Sequence, residues 1–318
     1  MRTPRQRARR GPKLSESGPT VRIVTIEQIP QTPAASGDDD PAAATGRRRP
    51  ALSPSRAADF KRCPLLYRYR AIDRLPEAPS AAQARGILVH AALEQIYVLP
   101  AGERDRDRAL DLLEPAWARL AVERPELAAA QQLADLLPDA RRLLERYFTM
   151  EDPVEVQPQS CELPVEVELD GGLVLRGFVD RVDVSEAGAL TVIDYKTGRS
   201  PGPSGETEAL FQLKFYALVL MHLHGRVPGE LRLLYLGDGT TLAYAPERDE
   251  LERFERILAS LWETIRESGA TGEFPPAPGR WCNWCDHKAR CPAFGGRAPA
   301  YPGWPEGVPS AQKPPDTE

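Results

Sequence analysis

Two stretches of this chain put acids where acids are costly. In the segment Phe178-Val-Asp-Arg-Val-Asp-Val184, the side chains of Phe178, Asp180, Val182 and Val184 fall on one face of a strand, because successive side chains alternate with period two. In Leu190–Lys196 the residues Leu190, Val192, Asp194 and Lys196 share a face in the same way. An ionised carboxylate on such a face costs several kcal/mol unless it is paired or bound to a cation. Taken singly, Asp180 reads as a partner of Arg176 or Arg181, and Asp194 as a partner of Lys196. Two neighbouring strands with the same violation point instead to a divalent cation between the acids. Arg181 and Asp183 lie on the opposite face, which is expected to be solvated.

A second constellation is built from thiols. Cys282-x-x-Cys285 puts two sulfurs within reach of one centre, Cys291 follows six residues on, and Cys63 comes from the far end of the chain. A site on these four cysteines closes a very long loop and ties the two ends of a domain together. Zinc and a [4Fe-4S] cluster both accept four thiolates, and spacing alone does not separate them. Cys161, the fifth cysteine, reads as a half-buried thiol at the start of a strand. An odd number of scattered cysteines with no export signal argues for a reducing, cytoplasmic setting and against a disulfide framework.

The elements that must carry these groups are readable from periodicity. Helices are expected over residues 53–70, 81–98, 105–122 and 126–150, the last two as a helical support layer without chemistry of its own. Strands follow at 163–169, 173–184 and 190–196, the first two joined by the turn Asp170-Gly171-Gly172. An apolar helix at 206–224, strands at 231–236 and 241–244, and an amphipathic helix at 249–268 complete the order. The class is α/β: a mixed central sheet flanked by helices, with a helical insertion at about 100–150 and the four-cysteine site joining the N- and C-terminal segments. With 318 residues and 42% hydrophobic content, one principal domain over 51–292 is expected. The Pro-, Ala- and charge-rich ends, 1–50 and 293–318, read as disordered tails.

The formal net charge of −5 gives no global attraction to nucleic acid, so such binding must come from local arginine clusters. No apolar run approaches the roughly 20 residues needed to span a bilayer, which excludes a membrane helix. Lysines are scarce beside arginines, which makes Lys196, two residues after Asp194, a less accidental feature.

Taken in order, Gly86-Ile-Leu-Val-His90, Gly177-Phe-Val-Asp-Arg-Val-Asp183, Val192-Ile-Asp-Tyr-Lys-Thr-Gly198 and Phe211-Gln-Leu-Lys-Phe-Tyr216 resemble the RecB-like branch of the PD-(D/E)xK nuclease superfamily. The resemblance covers about residues 51–292 and implies a restriction-endonuclease-like core. It implies that His90, Asp180 and Asp194 ligate a catalytic Mg²⁺ or Mn²⁺, with the backbone carbonyl of Tyr195 as a further ligand. It assigns Lys196 to the attacking water and scissile phosphate, and Gln212 and Tyr216, four apart on one helix face, to substrate positioning. Oxygen donors with one imidazole suit these ions. Iron–sulfur members of the family, including AddB-type subunits and CRISPR-associated exonucleases, carry one cysteine before the nuclease motifs and a C-x2-C-x5-C group after them. Cys63, Cys282, Cys285 and Cys291 follow that arrangement, which favours a structural [4Fe-4S] cluster over zinc, with Trp281 and Trp284 packed over it and base stacking as their alternative role.

The implied activity is a metal-dependent DNA nuclease, an exonuclease on single-stranded ends in DNA repair or recombination. No Gly-Lys pair occurs in the sequence, so the phosphate-binding loop of a helicase motor is missing and a helicase partner would act in trans. The alternative is a non-enzymatic nucleic-acid-binding or scaffold protein that keeps the fold and cluster; the complete His90, Asp180, Asp194 and Lys196 set argues against it.

Overall fold

The computed structural model describes residues 50–185, 187–202 and 205–305. Five strands form one mixed sheet in sequence order: β1 (Pro158–Glu168), β2 (Val174–Val184), β3 (Leu190–Lys196), β4 (Glu230–Tyr235) and β5 (Thr240–Tyr244). β1, β2 and β3 are a meander of antiparallel neighbours, β4 runs parallel to β3, and β5 returns antiparallel to β4. Gly171 and Gly172 hold φ of 78° and 76° between β1 and β2, a left-handed backbone that suits glycine. Because β3 and β4 are parallel, a crossover must link them, and helix α8 (Glu206–His224) supplies it.

Each face of the sheet carries its own core. On one face Leu190, Val192, Leu231 and Leu233 pack against α8, α9 (Arg248–Thr271) and α1 (Pro54–Arg62). On the other, Ile193, Tyr195 and Leu234 pack under α3 (Ala81–Val98), α4 (Arg106–Asp111), α5 (Leu113–Glu123), α6 (Pro125–Ala130) and α7 (Leu133–Met150), while α2 (Pro64–Tyr67) buries Leu65 and Tyr67 in the first core. α8 is apolar nearly all round because it lies between the sheet and α9. No helix among the described residues is long and apolar enough to cross a membrane.

Four expectations change. The helix expected over 53–70 breaks at Cys63, whose backbone is extended (φ −162°), and restarts with Pro64 at its first position, where the missing amide costs nothing. The two support helices become four, broken at Leu112 and around Gln131. Residues 293–305, expected in a tail, are seated on the domain: Trp304 packs against Trp262 at 5.9 Å between ring centroids, the Tyr301 hydroxyl donates to the Gly269 carbonyl at 2.6 Å, and Arg68 donates to the Pro299 carbonyl at 2.7 Å. Their aromatic side chains give this stretch apolar area to bury, which the Pro-rich composition hides. Residues 1–49 and 306–318 lie outside the described residues.

The fourth concerns Arg181. It does point to the face opposite Asp180, but that face is roofed by α3 and α7, and its side chain is only 1% exposed. Its guanidinium donates to the hydroxyls of Tyr97 and Tyr195 at 2.6 and 2.7 Å and makes paired contacts with both Glu151 and Asp183 at 2.9–3.0 Å. The Tyr97 hydroxyl in turn meets that of Tyr147. Removing one partner of such a network leaves uncompensated buried charge. Arg181→Ala is expected to cost roughly 3–5 kcal/mol of folding stability in denaturant unfolding; a cost under about 1 kcal/mol, the range of an exposed ion pair, would contradict this reading.

Candidate active site

The β2–β3 ladder runs Val184↔Leu190, Asp183↔Thr191, Val182↔Val192 and Arg181↔Ile193, and is paired no further. Extending that register by one residue sets Asp180 across from Asp194. Here the Asp180 Oδ2 takes the Tyr195 amide proton at 2.6 Å in place of a strand carbonyl. On the other side, β1 pairs Cys161↔Arg181 and Leu163↔Val179, so Glu162 stands across from Asp180. Glu162, Asp180 and Asp194 thus form a row across three neighbouring strands.

α3 brings the imidazole to this row. Gly86 lies beside Thr197 at the end of β3, where an added Cβ would stand 3.4 Å from Oγ1. One turn on, His90 Nε2 sits 3.0 Å from the Tyr195 carbonyl, and Nδ1 sits 3.6 Å from Asp180 Oδ1 and 3.7 Å from Glu162 Oε1. A carbonyl only accepts, so as a hydrogen bond this contact makes Nε2 the donor. Were a divalent cation bound here, Nε2 and the carbonyl oxygen would both be available to hold it.

Among the described residues, the only three His, Cys, Asp or Glu ligand atoms gathered within 4.8 Å of one another belong to His90, Glu162 and Asp180. This mixed nitrogen and oxygen set, with the Tyr195 carbonyl beside it, fits a hard divalent cation. Of the expected ligands, His90, Asp180 and the Tyr195 carbonyl come together. Asp194 is turned away from that trio: its Oδ1 accepts from Gln212 Nε2 at 2.7 Å, and its Oδ2 lies 2.6 Å from Lys196 Nζ. Tyr216, one turn along α8, packs against Gly177, where an added Cβ would lie 2.9 Å from the ring.

Glu162 is the residue that sequence reasoning missed. Its parity is opposite to that of the buried Val165 and Val167, which assigns it to the outer face of β1. Its φ is 46°, a left-handed backbone unusual for a non-glycine residue, yet the side chain is buried. Strain of this kind costs about 1–3 kcal/mol and persists where the surroundings hold it, often at functional sites. The available signal was the acid itself, one residue before the apparent strand, in a segment that pairs with the Asp180 strand.

The electrostatics follow from crowding. Burial and the neighbouring Asp180 push the Asp194 carboxyl up to about 6, against the pull of Lys196. Burial also raises Glu162. For Asp180 burial is overcome by His90, Lys196 and the Tyr195 amide, which hold it below the usual carboxylate range. His90 is drawn well above the imidazole range because the Asp180 and Glu162 carboxylates outweigh its own desolvation. Lys196 is likewise kept charged, burial notwithstanding, by Asp194 and Asp180.

The four cysteines also meet. Cys63, Cys282, Cys285 and Cys291 line one chamber with Tyr69, Trp281 and the buried His287. Backbone amides of Ala277 and Gly279 point at Cys63 Sγ and Cys282 Sγ, both at 3.4 Å. No three of these sulfurs fall within 4.8 Å of one another. Trp281 lines the chamber and donates to the Ala277 carbonyl. Trp284, expected over the cluster, does not line that chamber and stands 79% exposed on a large cleft that Trp281 also borders.

A metal ligand must be deprotonated, so protons compete with the cation at this site. Because the Asp180 and Glu162 carboxylates draw His90 well above the imidazole range and burial raises Glu162, Mn²⁺ affinity measured by calorimetric titration is expected to fall as pH drops from about 7.5 to 5. An affinity unchanged between about pH 7.5 and 5 would contradict the involvement of these residues.

Comparison with known proteins follows the same geometry. The chain is 27% identical over 273 residues to the gene 69 protein of Mycobacterium phage D29, covering 77% of this chain and 97% of that protein. It is 37% identical over 143 residues to the gene 69 protein of Mycobacterium phage L5, covering 43% of this chain and 46% of that protein. A crystal structure described as a candidate exonuclease from Eubacterium rectale shares the fold, with a TM-score of 0.50 at 14% identity over 74% of this chain and 87% of that one. The PD-(D/E)XK nuclease profile matches residues 51–292, from the strand-like lead into α1 through the last cysteine. That match spans β2, β3, α3 and α8, and the chain belongs to the PD-(D/E)XK nuclease superfamily.

Proposed function

We propose that the protein is a metal-dependent DNA exonuclease that acts on single-stranded ends in DNA repair or recombination. The observation that carries this reading is the row Glu162–Asp180–Asp194 at the floor of an open cleft, with His90 on one side and Lys196 on the other. A bound Mg²⁺ or Mn²⁺ supplies an activated water and offsets charge on the phosphate. His90, Asp180 and Glu162 hold that ion, joined by the Tyr195 carbonyl. Asp194, fixed by Gln212, steadies the Lys196 ammonium, which offers positive charge where the phosphate oxygens gain negative charge. Tyr216 shapes the wall through its contact with Gly177. The cleft, of about 1620 Å³, is larger than the roughly 300–1,000 Å³ of small-ligand pockets and has room for a polymer. Strands would be opened by a helicase in trans.

The four thiolates hold a structural [4Fe-4S] cluster in this reading. The chamber that gathers the four cysteines, with amides aimed at Cys63 and Cys282, supports a four-thiolate group there. Five cysteines without a disulfide among the described residues suit the cytoplasm.

Lys196→Ala is expected to slow digestion of end-labelled single-stranded DNA in Mn²⁺ on the order of 10²- to 10³-fold, with Asp180→Ala at least as severe. Wild-type rates in folded variants would remove the assigned site. Paired 5′- and 3′-labelled single and double strands test the exonuclease reading, since internal products from the first time point would make the enzyme an endonuclease. Protein purified without oxygen should be brown and carry about four irons per chain; stoichiometric zinc without iron would overturn the cluster.

A further inference from the structure

We infer that Trp284 is a base-stacking platform that extends the substrate path from the catalytic row onto the cysteine-held loop, and that it gives this nuclease its preference for single strands. This inference rests on the DNA nuclease reading above.

Of the five tryptophans, Trp117 and Trp262 are buried, Trp281 and Trp304 are half-buried, and Trp284 alone is exposed, at 79%. An indole in water forfeits much of the apolar area that the residue usually buries. Its surroundings indicate what it meets instead. Trp284 and Arg280 line the same cleft as His90, Asp180, Asp194 and Lys196. The charges of that cleft are uneven once pairs are matched. Asp59 and Glu77 are taken by Arg70, Glu126 by Arg124 and Glu208 by Arg62, while the remaining acids form the catalytic row. Arg56, Lys61, Arg74 and Arg280 pair with no carboxylate among the described residues, and all four line the cleft. Lys61 lies over the ring of Phe211 at 4.4 Å, so an aromatic face and a cation already meet on the wall.

Unpaired cations beside an exposed indole are the two parts of a single-strand groove, where charge follows the backbone and stacking takes the bases. A duplex keeps its bases stacked on one another and offers an indole little. Trp284 sits between Cys282 and Cys285 at the end of the turn Arg280–Trp284, so its backbone belongs to the loop that carries these thiols.

The test is equilibrium binding to the full-length, cluster-containing protein without divalent metal, by fluorescence anisotropy. The probes are a labelled oligothymidylate, an abasic oligodeoxynucleotide of equal length and a blunt duplex. Wild type should bind oligothymidylate more tightly than the abasic strand. Trp284→Ala should weaken oligothymidylate binding roughly tenfold and erase that preference, whereas Trp284→Phe should retain most of both. Arg280→Ala should weaken both single strands alike and flatten the salt dependence by about one charge. Trp284→Ala with wild-type affinity for oligothymidylate, or with equal losses on thymidylate and abasic strands, overturns the inference. Digestion of oligothymidylate by wild type in Mn²⁺, run alongside, separates the two readings. Digestion with an unaltered Trp284→Ala affinity sinks the platform alone, and selective loss of stacking without digestion sinks the nuclease reading alone.

Discussion

The structure turns on one electrostatic problem: three carboxylates side by side across β1, β2 and β3, largely out of water. Glu162, Asp180 and Asp194 repel one another, and burial makes the repulsion stronger. The chain surrounds the row with positive charge and donors. Lys196 meets Asp194, the Tyr195 amide meets Asp180, and His90 faces both Asp180 and Glu162. The β2–β3 ladder stops at this row, which frees the Tyr195 amide for a side chain. A site with this much negative charge and one imidazole suits a dication, which the proposed phosphate chemistry requires.

Much of the remaining fold serves to keep β3 in place. Tyr195 lies between Asp194 and Lys196, its amide on Asp180 and its carbonyl beside His90. Its ring projects to the far face, where Arg181 and Tyr147 enclose it. The residue next to Asp180 on β2 therefore anchors the residue next to Asp194 on β3 from behind the sheet. α3 sets Gly86 beside Thr197, α8 lays Gln212 and Tyr216 over the front, and the stretch through Trp304 closes the end of α9.

The strands that carry the acids were legible because period two exposes misplaced charge: Asp180 and Asp194 could be picked from their aliphatic neighbours alone. His90, Gln212 and Tyr216 were legible through motif order, since on helix faces they look like ordinary half-buried residues. Glu162 was hidden by a local reversal of backbone hand, which no alternation pattern encodes. Arg181 was placed on the correct face but in the wrong medium, because strand parity says which side a residue points to and nothing about what covers that side. The break at Cys63 was written in Pro64, while the seating of Tyr301 and Trp304 was masked by Pro-rich composition. Trp284 was misassigned for a related reason: closeness to Cys282 and Cys285 in sequence does not fix the direction of an indole on a tight turn.

The most direct measurement is anomalous diffraction from crystals soaked in Mn²⁺. A peak bonded to His90, Glu162 and Asp180, with Asp194 bordering it, is the expected result. A site without anomalous signal, in which those acids are balanced by His90 and Lys196 alone, would contradict the account.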